Sequence, residues 1–313
     1  MTLNKPKFWN NKIHPFTILL FPLSIIYTFF IYLKKKISKV KKFHIPIICI
    51  GNIYVGGTGK TPISIFLANE LNKLKKKPVI LRKYYKSHID EYRLIKNNFK
   101  DLIINENRID GLHEAEKSNY ETVILDDGLQ DYKIKKNLNI VCFNSNQLIG
   151  NGLVFPAGPL REKLSAIKET EIVIINGNKN IEFEKKILRI NKNIEIFYSS
   201  YKPLNIDKFK NNRLFAVAAI GNPENFFKIL ENNGLLVEKK KTYPDHYIFS
   251  ENEIKKIFEE AKEKNLKLIL TEKDYFKIKD FGINGISYLQ VKLEIEEKNK
   301  LINKIIRLYD KNI

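Results

Sequence analysis

Short apolar runs recur along the chain at residues 45–50, 78–81, 122–125, 138–143, 172–175, 214–220 and 266–270, each bounded by polar or glycine-containing stretches. They are too short for helices. They also lack the apolar–polar alternation of a half-exposed strand, so they read as strands buried on both faces of a parallel sheet. Helical spacing separates them. Residues 61–74 would turn Ile65, Leu67, Ala68 and Leu71 towards a sheet, and 223–232 reads as a second helix. Alternating strands and helices predict an α/β, doubly wound, mainly parallel sheet. Around 190–212 the composition turns polar, with Ser199, Ser200 and Pro203, and a second α/β series begins after it. The expected organisation is an amino-terminal segment 1–42, a first α/β domain 43–195 and a smaller α/β domain 196–313, with a cleft between the two domains for a second substrate.

The amino-terminal pattern is different. Residues 16–33 hold 18 residues without a charge, rich in Phe, Ile and Leu. At about 1.5 Å per residue a helix of this length just crosses a hydrocarbon core. Trp9 and Tyr32 stand near its ends as interfacial aromatics do. A secretory signal fits less well, since Lys34-Lys35-Lys36 follows where a small-residue cleavage site belongs. Pro22 leaves open whether the segment spans the bilayer or lies in one leaflet.

Charge adds to this picture. Of 313 residues 55 are Lys or Arg and 35 are Asp or Glu, a net charge of +20, and residues 1–42 carry nine lysines with no acid. Lysine concentrated beside an apolar segment favours a membrane surface as the anionic partner over nucleic acid. The larger cluster after the segment places the globular body on the cytoplasmic side, so the expected location is the inner (cytoplasmic) membrane. Cys49 and Cys142 sit within apolar runs and read as buried, inert thiols.

The strongest chemical signal follows the first strand: Gly51-Asn52-Ile53-Tyr54-Val55-Gly56-Gly57-Thr58-Gly59-Lys60-Thr61. Strand, glycine-rich loop and helix in that order make a phosphate-binding (P-loop) element, with residues 55–61 cradling a nucleotide. Lys60 reaches the β- and γ-phosphates, and the Thr61 hydroxyl holds Mg²⁺. Tyr54 occupies the place of the motif's usual first glycine, and Gly56 and Gly57 supply flexibility from inside the loop. A glycine-rich turn that binds nothing is the plain alternative. The strand 122–125 delivers Asp126 and Asp127 to its carboxyl end, where one of them can hold Mg²⁺ opposite Thr61. Gly128-Leu129-Gln130 extends that segment further than a turn requires.

VGGTGKTP (55–62), LDDGLQ (125–130), FPAGPLRE (155–162), YPDHYIF (243–249) and LTEKD (270–274) occur in this order. Together they resemble the tetraacyldisaccharide 4'-kinase family of lipid A biosynthesis. The resemblance implies an enzyme that transfers the γ-phosphate of ATP, with Mg²⁺, to the 4'-hydroxyl of a tetraacylated glucosamine disaccharide 1-phosphate, on two α/β domains behind a membrane helix. It implies an acylated lipid substrate, with no obligate protein partner. By motif, Asp90 in Ile89-Asp90-Glu91-Tyr92 is the base and His246 its imidazole partner, while Lys60 and an arginine neutralise developing charge. Arg161, Arg108, Arg82 and Gln130 are phosphate or substrate contacts. An exposed acid on a polar loop is the alternative for Asp90, a turn histidine for His246, and a solvated arginine for Arg108. Lys273 and Asp274 match the family segment without an assigned role. The family's Ser-Arg-Gly-Tyr reads Leu81-Arg82-Lys83-Tyr84 here, so Lys83 should change how the acceptor approaches or supply charge to it. A membrane-bound P-loop ATPase acting as a switch, without a lipid acceptor, is the alternative function.

Overall fold

The computed structural model describes residues 6–11, 13–245 and 247–310. The chain forms two compact units. The larger contains the described residues of Lys5–Tyr84, Phe99–Ser200 and Ile295–Ile313; the smaller contains Tyr85–Asn98 and Tyr201–Glu294.

In the larger unit the helix α1 (Pro15–Ile37) precedes β1 (Ile47–Gly51), α2 (Lys60–Lys73) and β2 (Pro78–Lys83). The chain then leaves for the smaller unit as α3 (Ile89–Asn98). It returns as β3 (Leu102–Asn105), α4 (Arg108–Lys117), β4 (Thr122–Asp126), β5 (Leu138–Asn144), β6 (Ile172–Asn176), α5 (Ile181–Ile190) and β7 (Glu195–Pro203). The strands run in the order β7-β6-β5-β1-β4-β2-β3. Every described pairing among them is parallel, with Ile48 in register with Ile124 on one side and Leu138 on the other. β1 and β4 are buried at every position, which is why their sequences are continuously apolar. The chain fills one side of β1 with β4, β2 and β3 before crossing to β5. The strand order therefore reverses at β1, and the carboxyl end of such a reversal is where doubly wound sheets bind ligands.

The smaller unit has β8 (Arg213–Ala218), α6 (Pro223–Asn232), β9 (Leu236–Thr242), α7 (Glu251–Glu263), β10 (Lys267–Thr271), α8 (Glu272–Ile278) and β11 (Ser287–Leu289). Its sheet order is β11-β10-β8-β9. Alternate residues divide between two cores. Phe215, Val217, Leu268 and Leu270 pack with Ile254 and Ile257 of α7, while Leu214, Ala216 and Ile269 pack with Phe226, Phe227 and Leu230 of α6. β9 is an edge strand of alternating exposure that carries Lys239, Lys240 and Lys241, residues that discourage edge-to-edge pairing. The strand β12 (Val291–Ile295) leads into α9 (Lys298–Asp310).

Three sequence expectations need correction. The compact units part at 200/201 rather than 195/196, and they exchange segments. Residues 85–98 belong to the smaller unit, where Arg93 donates to the Phe276 carbonyl at 3.1 Å. Residues 295–310 belong to the larger, where Lys304 meets Glu195 at 2.6 Å and Lys298 meets Glu70 at 3.0 Å. Within the polar stretch 190–212 lies β7, with Phe197, Tyr198 and Ser199 buried; the serine pair hides it from an apolar pattern. On α2 it is Ile63, with Leu67, Ala68 and Leu71, that is fully buried, while Ile65 is half-buried.

The segment 1–42 is no separate domain, because α1 docks on the larger unit along its length. Thr17 and Ser24 are buried, seven residues apart on one helical stripe, and Leu20, Tyr27, Thr28 and Ile31 are half-buried beside them. Ser24 Oγ donates to the Val154 carbonyl at 2.8 Å and accepts from the Ala157 N–H at 2.9 Å. Trp9 Nε1 donates to the Pro156 carbonyl, and Lys35 pairs with Glu169 near the other end. Pro22 stands inside the helix without ending it. The opposite face leaves Ile18, Leu19, Phe21, Leu23, Ile25, Ile26, Phe29 and Phe30 exposed.

Candidate active site

The phosphate loop leaves β1 at Gly51 and enters α2 at Lys60. Gly59 is the residue before the helix and has φ 89°, a left-handed conformation that a side chain would strain. Asn52 is fully buried and closes the loop from inside, its amide donating to the Gly56 carbonyl at 3.2 Å and to Thr58 Oγ1 at 3.0 Å. The FPAGPLRE segment holds the loop from outside. The Val55 N–H donates to the Pro159 carbonyl at 2.8 Å and the Arg161 N–H to the Ile53 carbonyl at 2.7 Å. Ser24 of α1 meets Ala157 of this segment and Val154 just before it, so the segment joins the apolar helix to the phosphate loop.

The carboxyl end of β4 brings its two aspartates to this loop. Thr61 Oγ1 donates to Asp126 Oδ2 at 3.1 Å, and Lys60 Nζ lies 3.6 Å from Asp127 Oδ1. Asp127 has φ 59°, and Gly128 after it is needed because a Cβ there would lie 2.3 Å from Leu125 Cδ2. The turn thus splits the aspartates: Asp126 stays buried at the strand end, and Asp127 is turned towards the cations. Arg82, at the end of β2, donates from Nη1 to Asp126 Oδ2 at 2.7 Å and to Thr61 Oγ1 at 2.9 Å, with its side chain almost fully buried. Arg161 pairs with Asp127 at 3.0 Å and also reaches Gln130 Oε1. Gln130 Nε2 donates to the Asn52 carbonyl and to Glu162. Arg108 donates to the Asp127 carbonyl at 2.7 Å and pairs with Asp131 at 3.6 Å, so it is no solvated arginine. Burial alone would raise the Asp127 carboxyl. Lys60, Arg161, Arg82 and Arg108 outweigh that effect and hold it well below the usual carboxylate range.

One cluster in the larger unit therefore gathers Lys60, Thr61, Arg82, Arg108, Asp126, Asp127, Gln130 and Arg161, all read from the sequence. It adds Asn52, Asp131 and Glu162, which sequence reasoning missed. Glu162 was within reach as the last residue of FPAGPLRE; Asn52 had only its place between strand and glycines as a signal. The cluster's chemistry is that of an anion site with fixed cations and carboxylates, suited to a polyphosphate. Among the described residues no group of three or more His, Cys, Asp and Glu could cage a metal. A hard cation such as Mg²⁺ fits the Thr61 hydroxyl and Asp126 carboxylate, since it takes few protein oxygens when a nucleotide supplies the rest.

Asp90 lies in the smaller unit, in the first turn of α3, and is 5% exposed, which removes the reading as a surface acid on a loop. Lys273 and Lys277 of α8 approach its Oδ2 at 3.5 and 3.8 Å. His246 lies outside the described residues; its neighbour Asp245 pairs with Lys273 at 3.2 Å. Lys83 is half-buried at the end of β2. Cys49 and Cys142 are fully buried, and burial pushes the Cys49 thiol up to about 11.

Comparison with known proteins agrees with this geometry. The family model described as tetraacyldisaccharide-1-P 4'-kinase matches residues 16–309. The tetraacyldisaccharide 4'-kinase of Pelagibacter ubique is 42% identical over 316 residues, covering 100% of both chains, and that of Rickettsia bellii is 35% identical over 96% of this chain and 98% of its own. The crystal structure of LpxK from Aquifex aeolicus in complex with ATP superposes with a TM-score of 0.71 at 26% identity, covering 93% of this chain and 99% of that one.

Proposed function

The chain belongs to the tetraacyldisaccharide 4'-kinase family, and from that premise we propose that it transfers the γ-phosphate of ATP to the 4'-hydroxyl of a tetraacylated glucosamine disaccharide 1-phosphate. The observation that carries the kinase reading is the meeting of Lys60 and Thr61, at the start of α2, with Asp126 and Asp127 at the end of β4. The acceptor follows from kinship with the named kinases.

In this reading the loop 55–61 binds the nucleotide phosphates through its backbone N–H groups. Lys60 and Arg161 face the developing negative charge, and because Asp127 already holds them they need no rearrangement as it develops. Thr61 and Asp126 would hold Mg²⁺, which would neutralise phosphate charge when bound. Arg82 sits on those same two oxygens, so it is a counter-ion of the metal ligands rather than a direct phosphate contact in the metal-free protein. Asp90 accepts the proton of the attacking hydroxyl, with His246 as its motif partner.

The helix α1 is long and apolar enough to cross a membrane by length and composition. Its contacts with the body at both ends and at Ser24 support a helix lying in one leaflet instead. Its exposed Phe, Ile and Leu side chains then enter the acyl layer and Lys34, Lys35 and Lys36 meet headgroups. In this reading the enzyme works at the membrane that holds its lipid, with the body on the cytoplasmic face.

The test is transfer of labelled phosphate from ATP to the tetraacylated disaccharide 1-phosphate in detergent with Mg²⁺. Transfer that needs the lipid is expected. ATP hydrolysis indifferent to the lipid would return the switch-type ATPase.

A further inference from the structure

The Thr-Glu-Lys-Asp segment 271–274 has no part in the phosphate site, yet its Lys273 and Asp274 lie in a network of ion pairs with little access to solvent. Asp274 is fully buried. Its Oδ2 accepts from the Ala219 N–H at 2.8 Å and from the Thr271 hydroxyl at 2.7 Å, and its Oδ1 pairs with Lys277 at 2.7 Å. Lys277 also donates to the Ala219 carbonyl at 3.1 Å. Asp274 and Lys277 thus lock the start of α8 to the end of β8. Lys273, one residue before Asp274, points instead at three carboxylates: Asp245 at 3.2 Å, Glu91 at 3.3 Å and Asp90 at 3.5 Å. His88 faces the other oxygen of Glu91 at 3.5 Å. Burial by itself would lower the Lys273 ammonium, but Glu91, Asp245, Asp90 and Asp274 outweigh it and raise it.

A structural need alone does not call for this arrangement, because apolar packing of similar volume generally serves stability as well as a buried ion cluster. The cluster's geometry has a chemical consequence. Both ammoniums approach Asp90 through the same oxygen, Oδ2, so they fix the carboxylate by one edge. Lys273 also joins Asp90 to Asp245, tying the first turn of α3 to the residue that follows Pro244.

We propose that Lys273, seconded by Lys277, is a positioning residue of the transfer reaction, clamping the Asp90 carboxylate in the orientation that receives the acceptor's proton. The inference rests on the reading of Asp90 as the base. In the step it serves, the sugar oxygen forms a bond to the γ-phosphorus, the bridging bond to ADP breaks, and the hydroxyl proton passes to Asp90. Lys273 keeps its own proton throughout and touches neither substrate.

The test compares Lys273→Met, Lys273→Arg, Asp90→Ala and the double variant Asp90→Ala/Lys273→Met. Single-turnover transfer to the lipid acceptor, ATP binding by calorimetry and thermal unfolding are measured for each. Lys273→Met should lower the transfer rate about 10²-fold, within the range of a lost general base, with ATP affinity unchanged. Lys273→Arg should recover part of that rate. In the Asp90→Ala background Lys273→Met should cost nothing further, because the group it positions is gone. Multiplying losses in the double variant would show that the lysine acts on substrate directly and overturn the proposal, as would a normal rate in Lys273→Met. A fully active Asp90→Ala would instead remove the reading of Asp90. Should Lys273→Met not fold, Lys273→Gln takes its place with the same expectations.

Discussion

Two buried aspartates in this protein are held by different cations. Asp126 ends β4 and is gripped by a guanidinium, with Arg82 Nη1 at 2.7 Å and Thr61 Oγ1 at 3.1 Å on the same oxygen. Asp90 opens α3 and is flanked by two ammoniums at 3.5 and 3.8 Å. Arginine is planar, always charged and directional, whereas lysine is a compact charge on a flexible stem. A short arginine contact fixes a carboxylate that must keep its place and its charge. Two longer lysine contacts compensate a buried charge from one edge of the carboxylate. The difference matches the roles inferred for them: Asp126 belongs to the nucleotide and metal half, and Asp90 to the acceptor half.

The largest expected effect comes from breaking the tighter pair. Arg82→Ala leaves the Asp126 charge buried without its principal partner and should cost about 3–5 kcal/mol of stability, measured by urea denaturation without nucleotide. Arg82→Lys should restore only part, because an ammonium cannot reproduce the directed contact to both Thr61 and Asp126. Mg²⁺ with ATP should narrow the deficit by supplying positive charge to the same oxygens. An Arg82→Ala protein as stable as wild type would mean that the Asp126 contact contributes nothing to holding the site.

Next comes the looser pair. Asp90→Ala should lower kcat about 10³-fold, inside the span typical of a general base, with the ATP dissociation constant unmoved. Loss of ATP binding with normal turnover at saturation would remove Asp90 as base. The clamp itself should be silent to pH in the neutral range. The ammonium of Lys273 is raised in the folded protein, so its contribution to stability is fully present below the unfolded value of about 10.4 and is lost only as pH rises through the folded one. Any change of rate between about pH 6 and 9 should therefore survive in Lys273→Arg.

The nucleotide half was legible because its chemistry is local. Strand, glycine loop, Lys60 and Thr61 are contiguous, and Asp126 and Asp127 follow an unmistakable apolar run. The acceptor half was legible only in part. Asp90 could be placed by motif, but its burial and its partners could not, since Lys273 is 182 residues from Glu91 and 28 from Asp245 in sequence. No periodicity encodes such a contact. The same limit hid the transfer of 85–98 into the smaller unit: the segment departs between two neighbouring strands of one sheet and packs in another unit. Arg82 was read as a phosphate or substrate contact through the family's Ser-Arg-Gly-Tyr segment, and only the fold puts it on Asp126 and Thr61. The apolar run 16–33 predicted a helix long enough for a membrane, but the polar clasp of Ser24 on Val154 and Ala157 could be seen only in the fold.

That clasp gives a smaller test. Ser24→Ala leaves the Ala157 N–H and the Val154 carbonyl without the hydroxyl that joins them and should cost about 1–3 kcal/mol. Because Pro159 of the same segment holds Val55, the variant should also weaken ATP binding. A helix that spans the bilayer independently of the body would show neither effect.

The smallest expected effect separates the two aspartates once more. Thr271 is the residue before α8, and its Oγ1 accepts the Asp274 N–H at 3.1 Å while the hydroxyl donates to Asp274 Oδ2 at 2.7 Å. Thr271→Ala removes this cap and should cost about 1 kcal/mol of stability. The helix it starts carries both Lys273 and Lys277, so a loosened first turn should let the clamp on Asp90 wander while Arg82, on β2, stays where it is. Transfer should therefore slow several-fold with ATP affinity unchanged. The same loss of stability introduced at an exposed helix cap of the smaller unit, as by Ser250→Ala at the start of α7, should leave the transfer rate alone. If both cap variants slow transfer equally, general loosening of the unit rather than the lysine clamp governs the rate, and the contrast between a fixed and a positioned carboxylate fails.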